Sequence, residues 1–498
     1  MLRYLIIAAI WVALPAAAAC AAETAVPATA ATTARSSNQA PPAAANVPVV
    51  QPDKIPGNWK LTPQPLPPID PILKRPAPAV PVYGLYTWTG EYRGNRESIK
   101  KVGWKSFRVA GPLNDDDMKM LVQDGIEVMK CLDAWDLGEG RRQAARKNFD
   151  SDDAFIAAYV KVIGAFLTRY GPGGTFFKDN PTLPKRPIQF VEIWNEPNFQ
   201  YLIPDRPGDR QALEAEREAL YAKVLPAAYK AIKEKWPAVT VLGFGAGGGN
   251  LGDVRFIQHV IEKDPARVAR SFDVLSTHPY QPPTPPEVDS IQPWGSYSMT
   301  RSLEAIRKNL AEHKVGDAPI WYTEVGWPIS KADGGDYDMD SKMTTAPLLQ
   351  AAYVVRLYAL AMRLGVDRVH VMFTTDADSF NAGFFSRANK TWRPSATAVQ
   401  TMIRWMPNPR IRNVISDGTD GYYAYEYRAN VGANEDPEVP VTMAWNVTGP
   451  KMVEIAAQTR QAKVVDMLGG EKLVEARDGK VRIEVGPCPT YVLPVGLK

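Results

Sequence analysis

Histidine is scarce in this chain: four residues among 498, alongside three cysteines, with no CxxC pair and no His/Cys cluster. That leaves no donor set for a structural zinc site and disfavours a metal-dependent hydrolase, so no metal or cofactor is expected. Charge of one sign is lacking as well. The 58 basic residues stand against 54 acidic ones, and the net charge of +4 comes without a basic tract. Neither nucleic acid nor an anionic lipid surface is therefore an expected partner. No Gly-rich phosphate loop follows the first strand-like run, which argues against a doubly wound nucleotide-binding sheet. Beyond the extreme N-terminus, no segment reads as membrane-spanning.

That N-terminus, "MLRYLIIAAIWVALPAAAACAAE", carries one cation at Arg3, an apolar run from Tyr4 to Leu14 and small residues up to Ala22. The order is that of an export signal over residues 1–22, and the apolar run is too short for a transmembrane helix. Cys20 follows four alanines in a loose likeness to a bacterial lipoprotein cleavage box, with Ala17 where a large apolar residue is usual. Export is expected: to the periplasm, to the outer membrane through a lipidated Cys20, or to the medium. Residues 23–81 are rich in Ala, Thr, Pro and Val, have little to bury, and read as a disordered tether. Cys131 and Cys488 are far apart in sequence; an exported chain could bridge them, and buried free thiols are the preferred reading.

From Val82 onward short β-branched runs alternate with longer helical patterns. The strand-like runs are 82–88, 104–111, 126–132, 188–197, 240–247, 272–280, 319–327 and 366–378. Helical spacing of apolar residues covers 152–170, 210–236 and 346–365. Alternation of this kind implies parallel strands joined by helical crossovers. Eight such units over about 320 residues match a closed (β/α)8 TIM barrel spanning 82–407. Residues 408–498 change character, giving short alternating runs such as "GYYAYEYRA" and "VPVTMAWNV" without long helices. They read as a small antiparallel β-sandwich packed on the barrel.

In a closed α/β barrel the C-terminal strand ends line the active-site mouth. Glu196, in "FVEIWNEPN", ends the fourth strand-like run, and Glu324, in "IWYTEVGWP", ends the seventh. Two carboxyl groups from nearly opposite sides of one mouth can flank a scissile glycosidic bond, one protonated and one ionised.

"WNEPN" on a fourth strand with "TEVGWP" on a seventh resembles clan A of the glycoside hydrolases, retaining enzymes built on TIM barrels. Within the clan the sequence is most similar to family thirty-nine and to bacterial exopolysaccharide glycosidases and cellulase-like proteins. The likeness covers about Val82 to Met406. It implies that Glu196 is the general acid/base, that Glu324 is the nucleophile, and that Asn195 binds the sugar 2-hydroxyl. It further implies that Arg108, in "FRVAG", lies near the nucleophile, and that His278 and Tyr280, in "STHPY", belong to the site. Trp194, beside Asn195, and Trp327, just after the nucleophile, are candidate substrate contacts, Trp327 as a stacking surface. The likeness is incomplete: where many clan members close the eighth strand with a tryptophan, this chain reads "VMFTTDAD", with Phe373 and Asp376.

Blander readings stand beside these. Arg108 serves equally as a structural ion-pair partner, and His278 and His370 as core histidines. Trp88, Trp135, Trp294 and Trp327 divide between packing and substrate contact, and Asp376 and Asp378 are weaker candidates for hydrogen bonds to substrate. The sequence therefore points to a retaining glycosidase acting on a polysaccharide or oligosaccharide. The alternative is a non-catalytic polysaccharide-binding or export-complex envelope protein on the same fold.

Overall fold

The computed structural model describes residues 66–75, 81–138, 145–248, 252–288, 299–377, 379–418, 420–429 and 439–495. The export signal, Cys20, Trp294 and Asp378 lie outside them.

Eight strands close in chain order into a parallel barrel: β1 Tyr83–Thr87, β2 Ser106–Val109, β3 Glu127–Leu132, β4 Phe190–Ile193, β5 Thr240–Gly247, β6 Val274–His278, β7 Ile320–Val325 and β8 Arg368–Val371. Pairing of β1 with β8, Gly84 opposite His370, completes the circle. Each strand falls within one of the eight expected runs, because strands covered on both faces are near-continuously apolar and stand out from the helical segments between them. Large side chains from neighbouring strands fill the lower barrel, with Met129, Phe190, Leu242, Val274 and Trp321 forming one cluster. Above it the interior turns polar: Arg108 on β2 reaches Glu192 on β4 and Glu324 on β7.

Helices Asp152–Tyr170, Arg210–Lys235 and Pro347–Arg363 occupy the three clearest helical patterns. Ser151 and Asp209 start the first two as side-chain caps, each accepting a backbone N–H of the first turn. The third has no exposed polar face, and its few polar residues, Gln350, Arg356 and Arg363, are themselves buried. By length and composition the stretch Ser341–Arg363 could cross a membrane, but 83% of its apolar window is buried inside the protein. A helix without a polar face needs cover on every side. Here the barrel covers one side and the C-terminal β domain another, through Tyr427 Oη donating to Ala359 O (3.3 Å) and Arg363 pairing with Asp417 (2.6 Å).

That β domain is the expected antiparallel sandwich. It comprises β9 Arg410–Asp417, β10 Tyr422–Ala429, β11 Val439–Asn446, β12 Lys451–Ala456, β13 Gln461–Asp466, β14 Glu471–Glu475, β15 Lys480–Val485 and β16 Thr490–Pro494. Six of these form a sheet in the order β14-β13-β16-β11-β10-β9, and β12 pairs with β15. Val453, Ile455, Val464, Val481, Ile483 and Val492 fill the space between them.

The stretch assigned to the tether up to 81 differs in its last part. Asp70–Leu73 is a short helix, and Arg75 behind it donates to Gly365 O (2.6 Å) and pairs with Asp367 (3.2 Å) just before β8. Low hydrophobicity hid this contact, which is made by charge and backbone rather than by buried apolar surface.

Candidate active site

The stretch Trp194-Asn195-Glu196 leaves β4 in an unusual conformation. Trp194 (φ 72°) and Glu196 (φ 45°) both adopt the left-handed region, which disfavours any residue with a β-carbon. Surrounding hydrogen bonds impose it. Trp194 N–H donates to Leu132 O (3.0 Å), Glu196 N–H donates to Gly245 O (2.9 Å), and Phe199 N–H donates to Glu196 O (2.9 Å). Backbone strain over-determined in this way is typical of functional sites. Its consequence is directional: Asn195 and Glu196 turn into the barrel mouth, while Trp194 turns out into the helical shell.

On the opposite side, the register of β7 against β8 slips between Tyr322 and Val325. Strict alternation would send Thr323 and Glu324 to opposite faces; the slip re-aims them so that both reach the interior. Thr323 Oγ1 lies 3.1 Å from His278 Nε2, and Glu324 Oε2 accepts from Arg108 Nη1 at 3.0 Å. Tyr280 Oη donates to the other oxygen of Glu324 at 2.5 Å. His278 Nδ1 is 3.1 Å from Glu196 Oε1 and 3.9 Å from Glu324 Oε2. One oxygen of each glutamate and a ring nitrogen of His278 all lie within 4.8 Å of one another. The two glutamate side chains are 13% and 11% exposed, so their open side is the mouth.

Arg108 organises this group. Its side chain is fully buried; Nε donates to Glu192 Oε2 (2.7 Å), Nη2 donates to Asn195 Oδ1 (2.6 Å), and the Tyr86 ring lies 4.6 Å beneath the guanidinium carbon. Burial by itself would lower the arginine pKa, but Glu192 and then the Cys131 and Glu324 groups reverse this and keep it cationic. Burial would likewise raise Glu192, and the Arg108 charge overrides it to hold the carboxyl below its usual value. Burial, together with the Glu196 carboxylate, pushes Glu324 above the ordinary glutamate value, against the opposing pull of His278, Arg108 and Tyr280. Tyr280 is held well above its usual value, first by burial and then by Glu324 and Glu196, so it remains a proton donor. His278 falls to about 4, chiefly through burial, and is neutral at physiological pH. Two like charges this close favour one shared proton. The permanent cation bonds Glu324, so the negative charge of the pair is best held there.

Six of the eight sequence-assigned residues therefore converge: Glu196, Glu324, Asn195, Arg108, His278 and Tyr280. Two do not. Trp194 is fully buried, its ring edge-on to Phe155 (5.6 Å) and Tyr159 (5.2 Å), because its positive φ directs it away from the mouth. Trp327 is 1% exposed; its Nε1 donates to Thr284 O (2.8 Å) and its ring packs on Tyr353, so it presents no stacking surface. Asp376 is fully buried and committed to Arg393, which bonds both of its oxygens at 2.6 Å. His370 is a core residue as expected, packed directly over Gly84.

Four residues of the site were not singled out by sequence. Glu192 is a charged side chain inside an otherwise apolar strand, and that was its signal. Thr323 is unremarkable until the β7 register is known. Gly247 and Asn198 act together: Asn198 Nδ2 donates to Gly247 O (2.6 Å) and its Oδ1 accepts the Gly247 N–H (3.1 Å). A β-carbon at Gly247 would lie 2.1 Å from Glu196 Oε1 and 2.8 Å from Phe199 Cε2. The glycine-rich run "GFGAGGG" carried that signal, since a glycine in a strand marks close approach.

The fold is a closed (β/α)8 barrel with a C-terminal β-sandwich, an architecture shared with solved glycoside hydrolase structures. Among solved structures it is similar to a family 39 glycoside hydrolase from Bacteroides cellulosilyticus, with a TM-score of 0.58 and 16% identity over 82% of this chain and 80% of that one. A monomeric beta-xylosidase from Caulobacter crescentus superposes with a TM-score of 0.51 at 12% identity, covering 85% of this chain and 99% of that one. A family 51 alpha-L-arabinofuranosidase from Bifidobacterium longum gives 0.53 at 12% identity, covering 84% and 98%. At these identities the likeness is one of fold. No sequence-family profile matches the chain, and no curated protein of similar sequence is found.

Proposed function

We propose that this chain is a retaining glycoside hydrolase acting on β-linked polysaccharide or oligosaccharide. The observation that carries the reading is the acid pair: Glu196 and Glu324 approach within 4.8 Å, with a buried arginine on one and a neutral imidazole on the other. A separation of about 5–5.5 Å suits direct attack by a carboxylate, whereas an inverting pair needs about 6.5–9.5 Å to admit a water. The glycosidase fold of the structural neighbours supports the same class, and the xylosidase and arabinofuranosidase among them support a glycoside substrate.

In the first step an oxygen of Glu324 bonds to the anomeric carbon, the bond to the leaving oxygen breaks, and that oxygen takes the proton of Glu196. In the second, water gives a proton to Glu196 as its oxygen bonds to the anomeric carbon, and the bond to Glu324 breaks. Tyr280 and Arg108 hold the attacking carboxylate in place. Arg108 also fixes Asn195 Oδ1, which leaves the Asn195 amide N–H groups to meet a sugar hydroxyl. Proton NMR of the first-formed product, recorded before mutarotation, is expected to show the anomer of the substrate. An inverted anomer overturns the mechanism.

The leader pattern supports action outside the cytoplasm, with the mature chain starting at or shortly after Cys20. Mass spectrometry of the mature N-terminus tests this and separates a diacylglycerol-modified Cys20 from a cleaved soluble chain. An intact Met1 confined to the cytosol would contradict it.

A further inference from the structure

Trp194 and Trp327 are buried, whereas the residue that follows β1 presents a partly open aromatic ring beside the acid pair's contacts. Trp88 directly follows β1 and is half-buried. Its ring lies 5.1 Å from Tyr86 and 5.1 Å from Phe373, and it packs with Tyr280 on the apolar cluster formed by Tyr86, Met372 and Phe373. Two of these neighbours lead back to the nucleophile: Tyr86 underlies Arg108, which bonds Glu324, and Tyr280 bonds Glu324 directly. Phe373, two residues past β8, is 2% exposed, and its ring packs against the Trp88 ring at an interplanar angle of 31°. The Trp88 backbone is fixed too, its carbonyl accepting Tyr92 N–H at 2.9 Å.

Barrel order decides which sugar this face can meet. The glycone becomes bonded to Glu324 and stays on that side through both steps, while the departing part lies beside Glu196. Running from β7 through β8, β1 is two strands from Glu324. Trp135, also half-buried, follows β3, next to the Glu196 strand.

We propose that Trp88 is the stacking platform for the glycone ring, the sugar that becomes covalently attached to Glu324. The inference rests on the glycosidase reading of the site. An indole face lying flat against the C–H face of a pyranose gives an apolar contact that fixes the ring while polar groups set its orientation.

The test uses an aryl glycoside that the wild-type chain hydrolyses and Glu324→Gln does not; failure to find one counts against the glycosidase reading itself. On that substrate, whose only sugar is the glycone, Trp88→Leu keeps apolar packing but removes the flat face. It is expected to raise KM roughly tenfold to a hundredfold, in line with loss of one large apolar contact, with kcat much less affected and the melting temperature little changed. Trp88→Phe is expected to recover most of the loss, and Trp135→Leu to leave KM near wild type. The proposal is overturned if Trp88→Leu leaves KM unchanged, if Trp88→Phe is as poor as Trp88→Leu, or if kcat and melting temperature fall while KM stays constant.

Discussion

Gly247 lies so close to Glu196 that a β-carbon at position 247 would stand 2.1 Å from Oε1 of the acid. No L-side chain fits there while Glu196 keeps its place. Gly247→Ala is therefore expected to displace the Glu196 carboxyl and lower kcat/KM by roughly a hundredfold, the order expected for a misplacement of about 1 Å. The accompanying stability loss should be about 1–3 kcal/mol, as for other overpacked sites. Wild-type activity in a folded variant would show that Glu196 is not held where this structure has it.

The two acids should respond differently to substitution. Glu324→Gln cannot form a glycosyl ester, and turnover should be nearly abolished on every substrate. Glu196→Ala removes protonation of the leaving oxygen, so substrates with poor leaving groups should suffer far more than activated aryl glycosides. Steady-state rates over a series of leaving groups read this directly. A similar loss across the whole series would exchange or dissolve the assigned roles.

Glu324 must be ionised to attack, and burial together with Glu196 raises its pKa above 4.5. The acidic limb of the kcat/KM profile should therefore lie above the ordinary glutamate range. While Glu324 ionises, Glu196 still carries the shared proton, so in Glu196→Ala the acidic limb should stay near its wild-type position on an activated substrate and the basic limb, which reports Glu196, should be lost. A basic limb that survives in Glu196→Ala would mean that Glu196 is not the proton donor.

His278 offers a separate readout. Its folded-state pKa of about 4 lies below the 6.5 of an unfolded histidine, so below pH 6.5 the unfolded chain binds the extra proton first. Stability from this residue is complete above pH 6.5 and is lost as pH falls toward 4, on the order of 3 kcal/mol over the window. Denaturant titrations should show a shallower decline across that window in His278→Gln than in wild type. Equal slopes would place the proton of His278 elsewhere.

Trp327 tests the correction made to its role. As a buried wedge donating to Thr284 O, it should contribute to stability rather than to substrate affinity. Trp327→Phe leaves that carbonyl unpaired and should cost about 1–3 kcal/mol, with KM close to wild type. A large KM effect at unchanged stability would restore the stacking role.

These cases also show what the chain announces about itself. The eight strands were legible because doubly covered strands are apolar throughout, and Glu196 and Glu324 because an acid at the end of such a strand has few structural uses. The misplacement of Trp194 and Trp327 has a different origin. Whether a residue just past a strand faces the mouth or the helices depends on one backbone angle, as at Trp194, or on the course of the loop that follows, as at Trp327. Neither is encoded in residue type. Thr323 escaped notice because the β7 slip that turns it inward leaves no mark in the local sequence. Glu192 and Gly247 did leave marks, a charge within an apolar strand and a glycine run at a strand end.

The helix Pro347–Arg363, covered on one side by the barrel and on another by the β domain, has a consequence for modularity. A helix without a polar face belongs to neither domain alone, and cutting the chain after the barrel would present its oily flank to water. The sandwich is thus no detachable accessory, and the two halves should melt together in one cooperative transition. Exchange of C-terminal modules between related barrels, an easy route to new substrate targeting where domains meet at polar surfaces, is closed to this chain unless the helix is rebuilt at the same time.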